Sequence, residues 1–166
     1  TLAASSIGQY ERSVLSLADY YRAVELGLGA CLRASDPAVG ATGYGRRAGA
    51  HAIVFGSDQG LVGQFNEVVA AHAVEALAGF PNQPKVWAVG ERVHARLVDA
   101  GLPVLRLFEV PTSVEGIAPL VAQIQSASDP HRLEEADTEV YVFHNRPQGG
   151  ALYEPVSQRL LPLDER

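Results

Sequence analysis

The stretch from Ile53 to Val69, "IVFGSDQGLVGQFNEVV", decides the fold of this chain. It begins as an apolar run, passes glycines at positions 56, 60 and 63, and continues as an amphipathic segment. A buried strand that ends in glycines and leads into a helix is typical of folds in which a sheet alternates with helices. Many nucleotide-binding proteins hold a phosphate in such a loop, so the stretch is a candidate for either a ligand site or a structural junction.

Outside this stretch, apolar runs and helical patterns alternate along the chain. The predicted strands are His51–Gly56, Lys85–Val89, Val104–Val110 and Glu139–His144, and the predicted helices are Gln64–Leu77, Glu91–Ala100 and Val114–Ser126. After the last strand, a Pro-Gly turn and a second extended segment predict an antiparallel hairpin at one edge of the sheet. The pattern therefore predicts an α/β fold, a three-layer α/β/α arrangement around a mixed sheet of about five strands.

A long helix is predicted at the N-terminus, over residues 1–34. Apolar residues recur there at alternating spacings of three and four, at Ile7, Tyr10, Val14, Leu17, Tyr21, Val24, Leu28 and Cys31. This heptad pattern indicates the seam of a coiled coil. A helix that lies on its own sheet, with a period of about 3.6 residues, gives nearly the same pattern over this length. Because no long helix is predicted after residue 126, a coiled-coil partner would lie beyond Arg166 or in another chain.

Composition divides the chain into three predicted parts. Residues 1–34 form the helix segment, residues 35–49 a loop rich in glycine, and residues 50–166 an α/β globular domain. The loop, "SDPAVGATGYGRRAG", contains almost no bulky apolar residue, which is typical of an exposed connection.

Charge and cysteine content exclude several classes of protein. The net charge of −6 argues against a nucleic-acid partner, which requires a basic face. Cys31 is the only cysteine, so no internal disulfide forms, and a reducing compartment is expected. No apolar run approaches the roughly 20 residues of a membrane-spanning helix.

The glycine loop departs from the known phosphate-binding motifs. A P-loop requires Lys and Ser or Thr directly after its last glycine, but Gln64 and Phe65 follow Gly63. The glycine spacing also differs from the Gly-x-Gly-x-x-Gly of dinucleotide-binding folds. We therefore predict a structural loop in which Asp58 and Asn66 accept hydrogen bonds from turns and caps. A nucleotide- or phosphate-binding domain that uses the Gly56–Gly63 loop is the alternative.

No set of side chains has the pattern of a catalytic or metal site. Glu91 and His94 stand three residues apart on a predicted helix, but the second such pair of a carboxylate-bridged metal site is absent. The sequence predicts no catalytic residue, no bound cofactor and no metal.

The segment "SDQGLVGQFN" resembles the Ser-Asp-Arg/Lys-Gly-Leu-Cys/Ala-Gly-Gly-Phe/Leu-Asn segment in the gamma subunit of rotary ATP synthases. The matching residues are Ser57, Asp58, Gly60, Leu61, Gly63, Phe65 and Asn66. "VYVFHNR", with Asn145 and Arg146, and "LLPL", at residues 160–163, are similar to later segments of that family. Gln59, Val62 and Gln64 depart from the family pattern and indicate a divergent branch, such as the alternate ATPases of some bacteria.

The resemblance implies a role for the heptad seam. In that family, an N-terminal and a C-terminal helix wrap as an antiparallel coiled coil that forms the rotor axle. This sequence would then hold the end of the first helix and the globular domain, with its own C-terminal helix outside it. The resemblance implies a non-catalytic central-stalk subunit that couples ion translocation to ATP synthesis or hydrolysis.

The resemblance also implies partners and a location. The expected partners are the alpha and beta subunits, the epsilon subunit and the c-ring, without nucleic acid or direct membrane insertion. The expected location is the cytoplasmic face of the bacterial inner membrane, as part of the ATP synthase complex. A stand-alone module that recruits a partner helix through the seam is a further alternative.

Overall fold

A computed structural model gives the fold of this protein and describes residues 7–17, 22, 49–128, 138–149 and 152–161. Residues 7–17 are helical and are called α1. The later elements are β1 (Gly49–Phe55), α2 (Phe65–Leu77), β2 (Lys85–Val89), α3 (Glu91–Asp99), β3 (Val104–Phe108), a 3-10 turn (Val114–Gly116), α4 (Ile117–Ser128), β4 (Thr138–Gly149) and β5 (Leu152–Leu161).

The strands form one five-stranded sheet in the order β3-β2-β1-β4-β5. The pairs β3–β2, β2–β1 and β1–β4 are parallel, and β4–β5 is antiparallel. The prediction of a mixed α/β sheet of about five strands is therefore confirmed, together with its antiparallel edge hairpin.

Apolar side chains cover both faces of the sheet. On one face, α2 and α3 pack against β1, β2 and β4, where small residues such as Ala52 and Ala88 allow a close approach of the helices. On the other face, Ile53, Trp87 and Phe108 pack with Ile124 of α4. Burial of each large apolar side chain contributes about 1.5–3 kcal/mol, so these two clusters are a main source of the domain's stability.

Several predicted boundaries were wrong, and β1 begins at Gly49 rather than His51 while α4 ends at Ser128 rather than Ser126. The strand predicted to end at Val110 stops at Phe108, because the Val110 amide donates to a side chain rather than to a neighbouring strand. The helix predicted from Val114 begins as a 3-10 turn, and α4 starts at Ile117. The strand predicted over Glu139–His144 runs on to Gly149, because β5 pairs with β4 beyond the last residue that pairs with β1.

The chain divides into two compact units. One contains residues 1–45, 111–119 and 164–166, and the other contains residues 46–110 and 120–163. In the first unit, the hydroxyl of Tyr10 in α1 donates to the main-chain oxygen of Pro111, at 3.5 Å. Most of the predicted N-terminal helix and most of the glycine-rich segment fall outside the described residues, so the domain boundaries near residues 34 and 49 stay predictions. No helix in the described ranges has the length and apolar character needed to cross a membrane.

Candidate functional site

The glycine loop, residues 56–64, lies at the edge of the sheet where the parallel strands end. It connects the central strand β1 to α2, with β2 on one side of β1 and β4 on the other. In open α/β sheets, ligands bind at this edge, where the strand order reverses. Here that position lies between the ends of β1 and β4.

Ser57 and Asn66 close the loop by two hydrogen bonds. The Ser57 amide donates to Asn66 Oδ1, and Asn66 Nδ2 donates to Ser57 Oγ, each at 2.9 Å. Ser57 Oγ in turn donates to the main-chain oxygen of Gln59, also at 2.9 Å. The hydroxyl therefore takes part in a turn, and its hydrogen-bond partners among the described residues include no base that would activate a nucleophilic serine.

Asp58 joins the loop to two other parts of the sheet. Its Oδ1 accepts from the amide of Glu91, the first residue of α3, at 2.8 Å. Its Oδ2 accepts from the amide of Val110, just after β3, also at 2.8 Å. The side chain thus caps α3, where a negative charge is favourable, and fixes the chain as it leaves β3.

The loop and the start of α3 approach each other closely at two glycines. Gly90 has a φ of +113°, and a Cβ there would lie 2.8 Å from the main-chain N and C atoms of Ser57. A Cβ on Gly56 would overlap the side chains of Val93 and Asn66. The amide of Arg92 donates to the Ser57 oxygen at 2.9 Å, and only glycine leaves room for this contact.

Asn145 lies at the other side of the strand-order reversal, on β4. It is 9% exposed, and its Nδ2 donates to the main-chain oxygen of Phe65 at 2.7 Å. The ring of Phe65 meets Tyr153 of β5 edge-on, with 5.2 Å between centroids. The start of α2 is therefore held against the hairpin, at the position where such folds place a ligand.

The tip of the loop points into solvent. Leu61 adopts a φ of +64°, and its side chain is fully exposed. Val62 is 37% exposed, and Gly63 has a φ of +58°. Beside the tip, the guanidinium of Arg92 lies next to Gly60. The backbone of a leucine at positive φ costs about 1–2 kcal/mol. Because the Leu61 side chain is fully exposed, its burial within this unit does not offset that cost.

The first half of the predicted heptad seam lies in α1. Ile7, Val14 and Leu17 are 60%, 64% and 55% exposed, and Tyr10 is partly buried. The other four seam residues, Tyr21, Val24, Leu28 and Cys31, lie outside the described residues.

Titratable groups form no metal centre in the part of the chain that the structure describes, where no three His, Cys, Asp or Glu side chains converge. One carboxyl has a shifted pKa. The pKa of Glu115 is lowered from 4.5 by its own main-chain amide and then by the Ser113 hydroxyl. Glu115 lies in an exposed turn of the unit that contains α1.

Sequence reasoning missed Gly90 and Arg92. The signal for Gly90 was present, because "AVGER" is a second strand that ends in glycine before a helix. The partners of Asp58 left no local signal, since they lie 33 and 52 residues away.

Comparison with known proteins gives one family. The sequence profile of a protein family described as ATP synthase matches residues 1–166. No curated protein matches the chain at a significant level.

Among the solved structures that are similar to this chain, two come from mitochondrial ATP synthases. One is a chain in the cryo-EM structure of the Tetrahymena thermophila mitochondrial ATP synthase central stalk and c-ring. It has a TM-score of 0.61 and 17% identity, with 79% of this chain and 57% of that chain covered. The other is a chain of the Euglena gracilis mitochondrial ATP synthase, with a TM-score of 0.48, 12% identity, and 92% and 56% covered. The chain thus spans somewhat more than half the length of these matched chains, and the first similarity shows a shared fold.

Proposed function

The chain belongs to the ATP synthase gamma family, and on that premise we propose that it is part of a non-catalytic rotor subunit. The intact subunit would turn as the central stalk of an F-type ATP synthase. It would couple ion movement through a membrane ring to ATP synthesis or hydrolysis in the surrounding subunits.

The exposed seam of α1 is the observation that carries this proposal. Three of its apolar side chains are more than half exposed, at heptad positions on one side of the helix. An axle helix requires a partner helix along such a seam. The occupant we propose is the C-terminal helix of the same subunit, packed as an antiparallel coiled coil.

The glycine loop supports a structural role for the sheet edge. The amide of Ser57, in the loop that the alternative would use for a phosphate, already donates to Asn66 Oδ1 at 2.9 Å. Asn145 holds the start of α2 at the strand-order reversal. These contacts favour a rigid junction over the alternative of a nucleotide-binding domain.

We further propose the partners and location that a rotor subunit requires. The alpha, beta and epsilon subunits and the c-ring would surround it, at the cytoplasmic face of a bacterial inner membrane. The loop tip, with Leu61 and Val62 exposed, is a candidate surface for one of these contacts.

A seam variant of the full-length protein, purified from its native membranes, tests the proposal. Val14→Asp places a charge on the seam, whereas Leu15→Asp places it on a neighbouring face of α1. Leu15 is 69% exposed and Val14 64%, so the two variants are matched in exposure and chemistry. We expect the wild type and the Leu15 variant to co-purify with alpha, beta and epsilon chains, and the Val14 variant to lose them.

Two results would contradict the proposal. If the wild-type protein co-purifies with none of these chains and carries a stoichiometric nucleotide, the glycine loop is a ligand site. If both variants retain the same partners in the same amounts, the seam of α1 has no role in assembly.

A further inference from the structure

The carboxylate of Asp58 is held as a small diffusible carboxylate would be. Its two oxygens accept from two amides, Glu91 N and Val110 N, each at 2.8 Å. Neither amide belongs to the loop that carries Asp58, and the two lie in separate segments of the chain. These lengths are typical of hydrogen bonds to a charged acceptor.

We propose that the start of α3 and the main chain at Val110 form a carboxylate-binding site, which the chain fills with its own Asp58. The positive end of α3 attracts an anion, and Val110 adds a second donor from another segment. Because the Arg92 amide is taken by the Ser57 oxygen, the site offers one donor to each of two oxygens. Such a pair of donors suits a planar carboxylate, with its two oxygens, better than a phosphate, which has more acceptor oxygens to satisfy.

Removal of the side chain should therefore open a site of known size. Asp58→Gly deletes a methylene and a carboxylate, which together match acetate in heavy atoms. Acetate can then occupy the vacated volume and accept from the same two amides. This inference concerns the sheet edge alone and holds whether or not the protein is a rotor subunit.

The test is chemical complementation of the full chain, followed by thermal unfolding. Loss of two charge-assisted hydrogen bonds should lower the Tm of Asp58→Gly by about 10 °C. Sodium acetate should restore part of that loss in a saturable manner, and sodium chloride at the same ionic strength should restore less. Asp99→Gly is the matched control, because Asp99 lies exposed at the end of α3, 3.8 Å from Arg96. Its Tm should respond equally to the two salts.

Asp58→Asn is a second variant that keeps the site filled, in case the glycine variant does not fold. Its amide oxygen can accept from one of the two N–H groups, so the Tm should fall less and acetate should have no specific effect. In the glycine variant, acetate should shift the NMR signals of the Glu91 and Val110 amides. Equal effects of acetate and chloride on Asp58→Gly, or an acetate response as large in Asp58→Asn, would overturn the proposal.

Discussion

Asn145 on β4 donates from Nδ2 to the main-chain oxygen of Phe65 at 2.7 Å, across 80 residues of sequence. This bond fixes the first residue of α2 against the strand that follows the reversal of strand order. Because Asn145 is buried, its replacement also leaves the Phe65 oxygen without this donor. The contact is therefore a sensitive point of the sheet edge.

Asn145→Leu should destabilise the protein by about 0.5–1.5 kcal/mol, the usual contribution of one hydrogen bond, since the Phe65 oxygen still accepts within α2. Urea unfolding measures this difference. Gln158→Leu, at an exposed position of β5, is the control and should change stability by less than about 0.5 kcal/mol. Equal losses in the two variants would show that the Phe65 contact contributes little.

Gly90→Ala should be much more destabilising than Gly101→Ala. Both glycines have positive φ, +113° and +81°, but only at Gly90 would a Cβ meet the main chain of Ser57. We expect a loss of about 1 kcal/mol at Gly101 from φ alone, and more than about 3 kcal/mol at Gly90. Calorimetric unfolding of both variants separates backbone strain from steric overlap, and similar losses would exclude the overlap.

Leu61→Asn should stabilise the isolated protein by about 0.5 kcal/mol. Asparagine tolerates the left-handed conformation better than leucine, and the exposed side chain gives up no burial. Val62→Asn is the control, since Val62 is also exposed but lacks a positive φ, and its stability should not rise. A clear loss of stability in Leu61→Asn would mean that the leucine packs within the chain.

Ser113→Ala should raise the pKa of Glu115 towards its ordinary 4.5, because the Ser113 hydroxyl contributes to its lowering. A carboxyl with a lowered folded-state pKa stabilises the fold above its unfolded-state value, and that contribution is lost as the pH falls through the folded-state value. NMR titration of the Glu115 carboxyl measures the shift. Thr112→Ala is the neighbouring control and should leave the pKa of Glu115 unchanged. An unchanged pKa in Ser113→Ala would show that the Ser113 hydroxyl does not lower it.

The sheet was predictable because its signals are local. The apolar run Lys85–Val89 gives β2 with both boundaries as predicted, and the helical period gives α2 to within one residue. The end of β3 was not predictable. That end depends on Asp58, which lies in a loop 52 residues earlier and accepts a hydrogen bond from the Val110 amide.

The candidate site was predictable in residue type and not in connectivity. Asp58 is a turn and cap acceptor by its chemistry, but its sequence position points to α2, the helix that follows. In the structure, Asp58 accepts from the first residue of α3 rather than of α2. Asn66, in the first turn of α2, accepts from the amide of Ser57. The choice between these partners depends on which strands lie side by side, information that is absent from short-range patterns.

The long sequence separation of the Asp58 contacts has a kinetic consequence. The two bonds span 33 and 52 residues, so they require that β2, α3 and the end of β3 have already assembled around β1. Closing such long loops costs chain entropy that has to be offset before the contacts can form, so we expect the Asp58 bonds to form after the folding transition state. Asp58→Gly would then change the rate of unfolding more than the rate of folding.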